Sequence, residues 1–293
     1  MYPFNHPFVA RLIVTALEED LGRGDVTTLG TIPPEQTARG KITAKADLTV
    51  AGLPLVEMVL KEVDSRAGAQ LLKSEGSAVE KGEVVAELWG NAASLLTAER
   101  TLLNFLQHLS GVATLTRQFV AAVVGTQCKI VDTRKTLPGF RLLDKYAVTR
   151  GGGTNHRMGL DDGVLIKDNH IAVCGGVGVA VRQARARVSA LLRIEVECTT
   201  LAEIQEAVEA HADIILLDNM STIQMREAVQ FVNGRALLEA SGNMSVERVR
   251  EVAETGVDFI SVGALTHSAP AADLSMAITT EVQSSKFKVQ SSE

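Results

Sequence analysis

One stretch near the middle of the chain concentrates positive charge and glycine: DTRKTLPGFRLLDKYAVTRGGGTNHR, residues 132–157. It contains six Lys or Arg residues and His156, against the two acids Asp132 and Asp144, in a chain whose formal net charge is −6. Arg binds a carboxylate through two parallel hydrogen bonds, and Lys supplies a compact charge suited to phosphate. The cluster therefore predicts a local site for a small anionic ligand.

Six short apolar segments in the second half of the chain each end in polar residues or glycine. These ends are Asp132-Thr133-Arg134-Lys135, Lys167-Asp168-Asn169, Glu197, Asp218-Asn219, Ser241-Gly242-Asn243 and Gly263. A single polar end marks only the place where a buried strand reaches water. In α/β barrels, however, the carboxyl ends of the strands line one mouth, where the chemistry occurs. Six ends with complementary groups predict one shared site.

The chemistry of these groups changes along the chain. The earlier groups are cations: Arg134, Lys135, Arg157 and Lys167. The later carboxylates Glu197 and Asp218 can hold Mg²⁺ or accept hydrogen bonds from sugar hydroxyls. The backbone amides at 241–243 and Gly263 follow the last strands, where phosphate pockets commonly form. A ligand with carboxylates, a sugar, a phosphate and a metal-bound diphosphate would use every group.

Several members of the cluster also have simpler interpretations. Arg141 and Lys145 are predicted to be solvated helix charges. The glycines at 151–153 match no phosphate-loop spacing, and they predict a turn in which the backbone approaches a ligand. His156 fits a structural histidine as well as a ligand-binding one. Lys167 could be a Schiff-base lysine, but the cations around it favour anion binding.

The first part of the chain has the patterns of an α+β domain. Apolar residues at helical spacing predict helices over 7–20 and 54–63, and alternation over 40–52 predicts a half-buried strand. The segment EGSAVEKGEVVAELWG predicts two short strands about a turn at Lys81-Gly82. Together these elements predict an antiparallel sheet with helices packed against it.

A long predicted helix over 94–124, with a break or kink expected at Ser110-Gly111, precedes a change of rhythm. From residue 128 onward, apolar strands alternate with helices, and helices are expected to begin near Leu201, Ser221 and Ser245. This alternation is typical of a parallel sheet buried on both faces. Because a complete barrel needs about 250 residues, we predict an irregular, incomplete α/β barrel of six or seven strands. An open doubly wound sheet is the alternative.

Composition excludes several classes of protein. No apolar run approaches the roughly 18 residues of a membrane span, and the start of the sequence lacks the pattern of a signal peptide. An acidic balance argues against a general nucleic-acid surface. The three cysteines, Cys128, Cys174 and Cys198, have no metal-binding spacing. We therefore expect a cytoplasmic protein in a reducing compartment, with no membrane or nucleic-acid partner.

The block from Asp132 to Ile171, followed by EVEC, LLDNM, EASGN and SVGALTHS, closely resembles the quinolinate phosphoribosyltransferases, a type II phosphoribosyltransferase family. EEDLGRGDVTT (18–28) and TAERTLLNFLQHLSGVAT (97–114) extend the resemblance to nearly the whole chain. It implies an N-terminal α/β sandwich domain over 1–112 and a barrel with the active site over 113–270. The segment 271–293 is expected to pack back on the first domain.

The resemblance also implies the reaction. Members of the family join quinolinate to phosphoribosyl pyrophosphate with Mg²⁺, giving nicotinate mononucleotide, pyrophosphate and CO₂ for de novo NAD synthesis. They work as homodimers or dimer-based hexamers in which the active site is shared between subunits. We therefore expect a soluble pentosyltransferase whose partners are these two small molecules and another copy of the chain.

Roles transfer to positions that match the family's motifs. Quinolinate-binding positions are Arg134, His156, Arg157 and Lys167, with Arg100 reaching in from the partner subunit. Positions around phosphoribosyl pyrophosphate are Lys135, Glu197, Asp218, Ser241, Gly242, Asn243 and Gly263, with His267 close by. Among these, Lys135, Lys167, Glu197 and Asp218 are the expected catalytic residues, and Glu197 and Asp218 the expected metal ligands. The family often has Ser-Gly-Gly where this chain has Ser-Gly-Asn, so the contact at residue 243 stays open.

Two other functions fit parts of the sequence. A relative with the same fold could act on another anionic acceptor, such as nicotinate. The segment EGSAVEKGEVVAEL also resembles the hairpin of lipoyl and biotinyl carrier domains, which would make the chain a carrier module. No lysine stands in the expected setting for modification, so the enzyme is favoured.

Overall fold

A computed structural model describes residues 3–280 of the chain. The chain forms two compact units. The first comprises residues up to 115, residues 142–151 and residues from 269, and the second comprises 116–141 and 152–268. The domain boundaries at residues 112 and 270 stay a prediction.

Helices and strands follow each other along the whole described chain. Up to residue 122 they are α1 (Pro7–Leu21), α2 (Val26–Thr31), β1 (Thr37–Ala44), β2 (Leu48–Thr49), α3 (Leu53–Val63), β3 (Gly68–Leu71), β4 (Ala78–Val79), β5 (Val84–Asn91) and α4 (Ala92–Ala122). Beyond it they are β6 (Lys129–Val131), α5 (Arg141–Arg150), β7 (Val164–Ile166), α6 (Asp168–Cys174), α7 (Val177–Arg187), β8 (Ile194–Cys198), α8 (Leu201–Glu209), β9 (Ile214–Asp218), α9 (Thr222–Val232), β10 (Leu237–Ser241), α10 (Val246–Ala253), β11 (Phe259–Ser261), α11 (Ala264–His267) and β12 (Leu274–Thr279).

The first unit is built on an antiparallel sheet of four strands in the order β12-β1-β5-β3, beside a small β2-β4 sheet. Strand β1 alternates between exposed and buried side chains, as its sequence predicts. Strand β12 pairs with β1, from Leu274 opposite Ala44 to Thr279 opposite Arg39. The rest of the predicted C-terminal packing, residues 281–293, lies outside the described residues.

The turn at Gly82 is present, with φ of +93°. The strands on either side of it have different partners, however: β4 pairs with β2, whereas β5 pairs with β1 and β3. Within residues 3–280, this segment therefore does not form the hairpin that suggested a carrier domain.

Helix α4 is continuous, so the predicted break at Ser110-Gly111 is wrong. Gly111 allows close packing instead, because a Cβ there would lie 2.1 Å from the carbonyl oxygen of Pro270. Ser110 is fully buried, and its Oγ accepts a hydrogen bond from the backbone N–H of Ala51 at 3.1 Å. Both residues serve tertiary contacts rather than a helix end.

Helix α5 also departs from expectation, because Lys145 is completely buried rather than solvated. All side chains from Leu143 to Val148 are buried. The adjacent Asp144 is bonded to His108, with 2.6 Å between Oδ1 and Nε2. The charged residues of α5 predict an exposed face, but all side chains of this region are buried.

The second unit contains a parallel sheet of six strands in the order β6-β11-β10-β9-β8-β7. Strands β7 to β11 are neighbours in chain order, and β6, the first in sequence, lies beside β11, the last. In a doubly wound sheet the strand order changes direction at a point inside the sheet. Here the order from β7 to β11 runs in one direction and β6 follows β11, as in a barrel that is open between β6 and β7. At the opening, Thr154 forms an isolated parallel bridge with Val131. The predicted irregular, incomplete α/β barrel is confirmed.

Local sequence signals place the barrel helices. Helices α8, α9 and α10 begin immediately after Thr200, Ser221 and Ser245, close to the predicted positions. The Thr200 and Ser221 side chains form capping boxes with residues three positions later, which satisfies free N–H groups of the first turn. None of the helices within residues 3–280 is both long and apolar enough to cross a membrane.

Candidate active site

A cavity of about 450 Å³ lies at the carboxyl ends of the parallel strands in the second unit. Eight residues of the predicted site line it: Arg134, Lys135, His156, Arg157, Lys167, Glu197, Asp218 and Ser241. The structure therefore brings together side chains separated by more than 100 positions in sequence. Their convergence follows from the parallel sheet, in which all strands present their carboxyl ends to one side.

The register of the strands arranges the lining in two layers. Ser241 pairs with Asp218 across β10 and β9, at the level of the mouth. Side chains alternate along a strand, so Glu195 and Glu197 of β8 point to the same side of the sheet, as do Glu239 and Ser241 of β10. Glu197 and Ser241 thus belong to the mouth, while Glu195 and Glu239 lie one layer deeper.

Two arginines of the cavity have unused donors. The Nε atoms of Arg134 and Arg157 are buried and have no hydrogen-bond partner within the described chain. The Nη1 of Arg157 donates to the carbonyl oxygen of Gly163 at 3.0 Å. Burial, and then the nearby charge of Arg134, lower the pKa of Arg157. Burial and charge repulsion both disfavour the charged forms of two adjacent guanidinium groups. An anion bound between the two groups would stabilise these charged forms.

Arg141, expected to be a bystander, instead organises the loop that carries Arg134. Its guanidinium donates to the carbonyl oxygens of Arg134 and Met158, both at 3.4 Å, and to Oγ1 of Thr136 at 3.2 Å. The prediction that it is a solvated charge is therefore wrong. Its position at the start of α5 gave no local signal, because helical periodicity does not report the loop carbonyl groups that the guanidinium contacts.

Lys135 lies beside the last strand of the barrel. Its carbonyl oxygen accepts a hydrogen bond from Oγ1 of Thr266 at 2.7 Å. A Cβ on Gly263 would lie 3.1 Å from Nε2 of His267 and 3.3 Å from Cδ of Lys135. Lys135, Gly263 and His267 are thus close neighbours, although the latter two do not line the cavity itself.

The carboxylates of the mouth have protein partners. Oε2 of Glu197 lies 3.2 Å from Nζ of Lys167, and Oδ2 of Asp218 accepts a hydrogen bond from Nδ2 of Asn219 at 2.8 Å. Mg²⁺ prefers oxygen ligands and is commonly held by one or two carboxylates together with substrate phosphates. Glu197 and Asp218 fit such a partial ligand set.

The loop after β10 has an unusual backbone. Gly242 has φ of +104° and Asn243 has φ of +47°. A Cβ on Gly242 would lie only 2.1 Å from Oδ1 of Asn219, so glycine is required there by contact as well as by conformation. Asn243 adopts the left-handed region that asparagine tolerates, so the backbone course is compatible with Asn in place of the more frequent Gly.

Three acids of the site were missed as functional residues: Asp132, Glu195 and Glu239. All are buried. Burial, and then the charge of Glu195, raise the pKa of Glu239 to about 7. For Glu195 and Glu239 a signal existed in the sequence, because an acid inside a short apolar strand, two positions before a polar strand end, faces the same interior. Asp132 is itself a strand-end residue, but its sequence pattern indicated no distinct role.

Arg100 is an exposed residue of α4 in the first unit. Its predicted contact with a substrate of the partner subunit stays a prediction, as do the individual roles assigned to the residues of the mouth.

The barrel and its mouth define a class of protein: an α/β barrel whose strand ends bring arginine, lysine and acidic side chains around one cavity. Models of protein families agree with this class. The C-terminal domain model of quinolinate phosphoribosyl transferase matches residues 112–277, and the N-terminal domain model matches residues 25–110. The chain belongs to the quinolinate phosphoribosyltransferase family.

Individual relatives cover nearly the same extent. The probable carboxylating nicotinate-nucleotide pyrophosphorylase of Bacillus subtilis is 42% identical, over 94% of this chain and 95% of its own length. A protein of the same name in Synechocystis is 44% identical, over 89% of this chain and 90% of its own. The solved nicotinate-nucleotide pyrophosphorylase of Francisella tularensis is 41% identical, covers 93% of this chain and 96% of its own, and superposes with a TM-score of 0.89.

These findings confirm the predicted family, fold class and function, a carboxylating nicotinate-nucleotide pyrophosphorylase activity in NAD biosynthesis. Location is less uniform among relatives, because the rice protein is named chloroplastic and one tobacco protein mitochondrial. The predicted cytoplasmic location of this chain stays a proposal.

Proposed function

We propose that the cavity at the barrel mouth binds quinolinate and phosphoribosyl pyrophosphate and transfers the phosphoribosyl group to the ring nitrogen of quinolinate. One observation supports this assignment most strongly: Arg134 and Arg157 converge in one cavity with buried, unpaired Nε donors. Quinolinate is a dianion, and several convergent cations must replace its hydration. Arg134, Arg157 and Lys167 would bind its carboxylates, and His156 lies among them.

The second substrate is proposed to lie along the later strands. Its ribose hydroxyls would face Glu197 and Asp218, and its phosphate would bind the amides after Ser241 and Gly263, near His267. Lys135 would contact the pyrophosphate. When bound, Mg²⁺ would neutralise part of the pyrophosphate charge, and Glu197 and Asp218 are the residues that would hold it, directly or through water.

The proposed chemistry relies on position and charge. The bond between ribose C1 and pyrophosphate breaks as the ring nitrogen forms its bond to C1, and Lys135 stabilises the leaving group. The ring nitrogen is then cationic, and its positive charge stabilises the carbanion left on C2 when the 2-carboxylate departs as CO₂. A proton replaces the carboxylate on C2. The protein's main contribution is to hold two anionic molecules in register in a site with fixed charges.

A direct assay tests this proposal. Incubation with quinolinate, phosphoribosyl pyrophosphate and Mg²⁺ is expected to release nicotinate mononucleotide and CO₂ in equal amounts, and a chelator should abolish turnover. Nicotinate supplied as acceptor should give no product. Efficient conversion of nicotinate, without CO₂ and without conversion of quinolinate, would instead support a relative acting on another acceptor.

Gly242→Ala is expected to raise the KM for phosphoribosyl pyrophosphate by about tenfold or more, because the added Cβ displaces Asn219 and strains the loop by roughly 1–3 kcal/mol. The KM for quinolinate should change little. Gly234→Ala is the matched control, since Gly234 also has a positive φ, +74°, but no atom within 4 Å of its Cβ position. An unchanged KM for the diphosphate substrate in Gly242→Ala would remove this loop from the phosphate site.

The active unit is proposed to be a homodimer, or a hexamer built from three such dimers, with Arg100 completing the site of the partner subunit. Arg100 matches the family's motif, which supports this proposal. The N-terminal domain model of the family, whose match includes residue 100, matches this chain, and so does the C-terminal domain model.

A further inference from the structure

Beneath the mouth, three side chains of the second unit meet in the interior of the barrel. Nε2 of His156 lies 2.8 Å from Oε2 of Glu195 and 3.5 Å from Oε2 of Glu239. Glu195 and Glu239 are only 3% and 2% exposed. We call these three residues the floor triad. Two buried carboxylates are costly to place in a core, so their presence calls for a functional explanation.

The hydrogen bonds of His156 determine which ring nitrogen carries the proton. Nδ1 accepts a hydrogen bond from the backbone N–H of Arg157 at 2.7 Å, so Nδ1 is unprotonated. In the neutral ring the proton is then on Nε2, which donates it to Glu195. The donor and acceptor atoms of the triad lie within 4.8 Å of one another, close enough for a metal ion. A metal ion bound to Nε2 would place the ring proton on Nδ1, where it would face the backbone N–H of Arg157. This arrangement is unfavourable, so we treat the triad as a hydrogen-bonded unit rather than a metal site.

The triad is connected to the anion-binding cations through the chain segment that it holds. Oδ1 of the fully buried Asp132 accepts the backbone N–H of His156 at 2.9 Å. His156 is thus tied at its backbone by Asp132 and at its ring by Glu195, and it in turn accepts the N–H of Arg157. Arg157 has one further tether, Nη1 to the carbonyl of Gly163 at 3.0 Å, while its buried Nε is unpaired.

We propose that Glu195, supported by Glu239, is a positioning residue for the acceptor subsite: it fixes the tautomer and orientation of His156, and His156 fixes the backbone from which Arg157 reaches the acceptor's carboxylate. The inference rests on the proposed binding of a pyridine dicarboxylate at Arg157. It explains why acids lie directly behind a cationic pocket. A histidine free to rotate would leave Arg157 tethered only at its tip.

The tautomer can be measured without any assay of activity. In the ¹⁵N spectrum of histidine-labelled enzyme, with His156 assigned by comparison with His156→Gln, the ring should show the neutral form protonated on Nε2. Glu195→Gln should keep this signature, because the amide oxygen can still accept the hydrogen bond. A ring protonated on Nδ1, or on both nitrogens, in the unmodified enzyme would overturn the proposal.

Kinetics test the consequence for the acceptor. Glu195→Leu is expected to raise the KM for quinolinate about tenfold while the KM for phosphoribosyl pyrophosphate stays within about twofold, and Glu195→Gln should restore most of the affinity. Because Glu239 can take over as acceptor, Glu195→Leu combined with Glu239→Leu should have a larger effect. Asp213→Ala is the matched control: Asp213 accepts the N–H of Ile194 at 2.7 Å, at the start of the same strand, and should leave both KM values unchanged.

The outcomes separate this inference from the proposed function. One outcome is that Arg157→Ala raises the quinolinate KM, whereas Glu195→Leu, alone or combined with Glu239→Leu, leaves it unchanged. The positioning role is then refuted, and the proposed quinolinate subsite is retained. If Arg157→Ala itself has no effect on quinolinate, the subsite is misplaced, and the ¹⁵N result alone decides whether the triad has the inferred tautomer. Equal increases of both KM values in Glu195→Leu would indicate a general structural role and would also refute the proposal.

Discussion

Arg134→Ala is expected to lower kcat/KM for quinolinate by roughly 10²–10³-fold, mainly through KM, because removal of one partner of a buried charge pair costs about 3–5 kcal/mol. The Nε of Arg134 is buried without a protein partner, so its donors are available to a ligand carboxylate. The hydrogen bond from Arg141 to the Arg134 carbonyl holds the loop and does not depend on the Arg134 side chain. The loop should therefore survive the substitution.

Two further variants sharpen this result. Arg134→Lys keeps the charge but loses the planar fork, so it should recover only part of the affinity. Arg235→Ala removes an arginine that bonds to carbonyls of Phe231 and Val232 in the region where α9 ends, and kinetics should be unchanged. The measurement is the steady-state kcat and KM of each variant for quinolinate and for phosphoribosyl pyrophosphate. Unaltered quinolinate kinetics in Arg134→Ala would remove this residue from the acceptor subsite.

Mixing two inactive variants is expected to restore activity. Arg100→Ala and Lys167→Ala should each be inactive alone, because each homodimer lacks one of the two groups in both sites. In a mixed dimer one site lacks both groups and the other is complete. Random reassortment should then recover up to about a quarter of wild-type activity, since half of the dimers are mixed and each has one working site.

Differently tagged chains allow the mixed dimer to be isolated after unfolding and refolding together. The matched control mixes Lys167→Ala with Arg134→Ala, two residues of the same cavity in one chain. That mixture should not exceed the low activity of its parents, because each subunit of the mixed dimer carries one defective barrel. Absence of recovery in verified Arg100→Ala and Lys167→Ala dimers would argue that Arg100 acts within its own chain or not at all.

Arg134 and Lys167 lie in the same barrel, so a mixed dimer of their variants contains two defective barrels under every arrangement of Arg100. Recovery of activity in this control mixture would mean that complementation does not depend on residue 100. It would therefore invalidate the result of the first mixture. The comparison of the two mixtures therefore isolates the contribution of residue 100.

The amino-acid sequence alone determined the elements and most of the mouth. Apolar runs of five or so residues, each followed by a polar end and a capped helix, are local patterns, and they placed β8, β9 and β10 correctly. Residues at strand ends share one location in any parallel barrel, so their convergence followed from the fold class. The motifs of the family then supplied the reaction.

Tertiary structure alone decided what the other polar residues do. Lys145 is buried because α5 packs on all sides, and Arg141 is bonded to loop carbonyls, although both had the pattern of surface charges. Helix α4 continues through Ser110-Gly111, where Gly111 leaves room for the backbone of Pro270. Periodicity reports which face of an element is apolar, but not which atoms from other elements will meet it. For the same reason Glu195 and Glu239 became recognisable as partners of His156 only when three separate segments were brought within hydrogen-bonding distance.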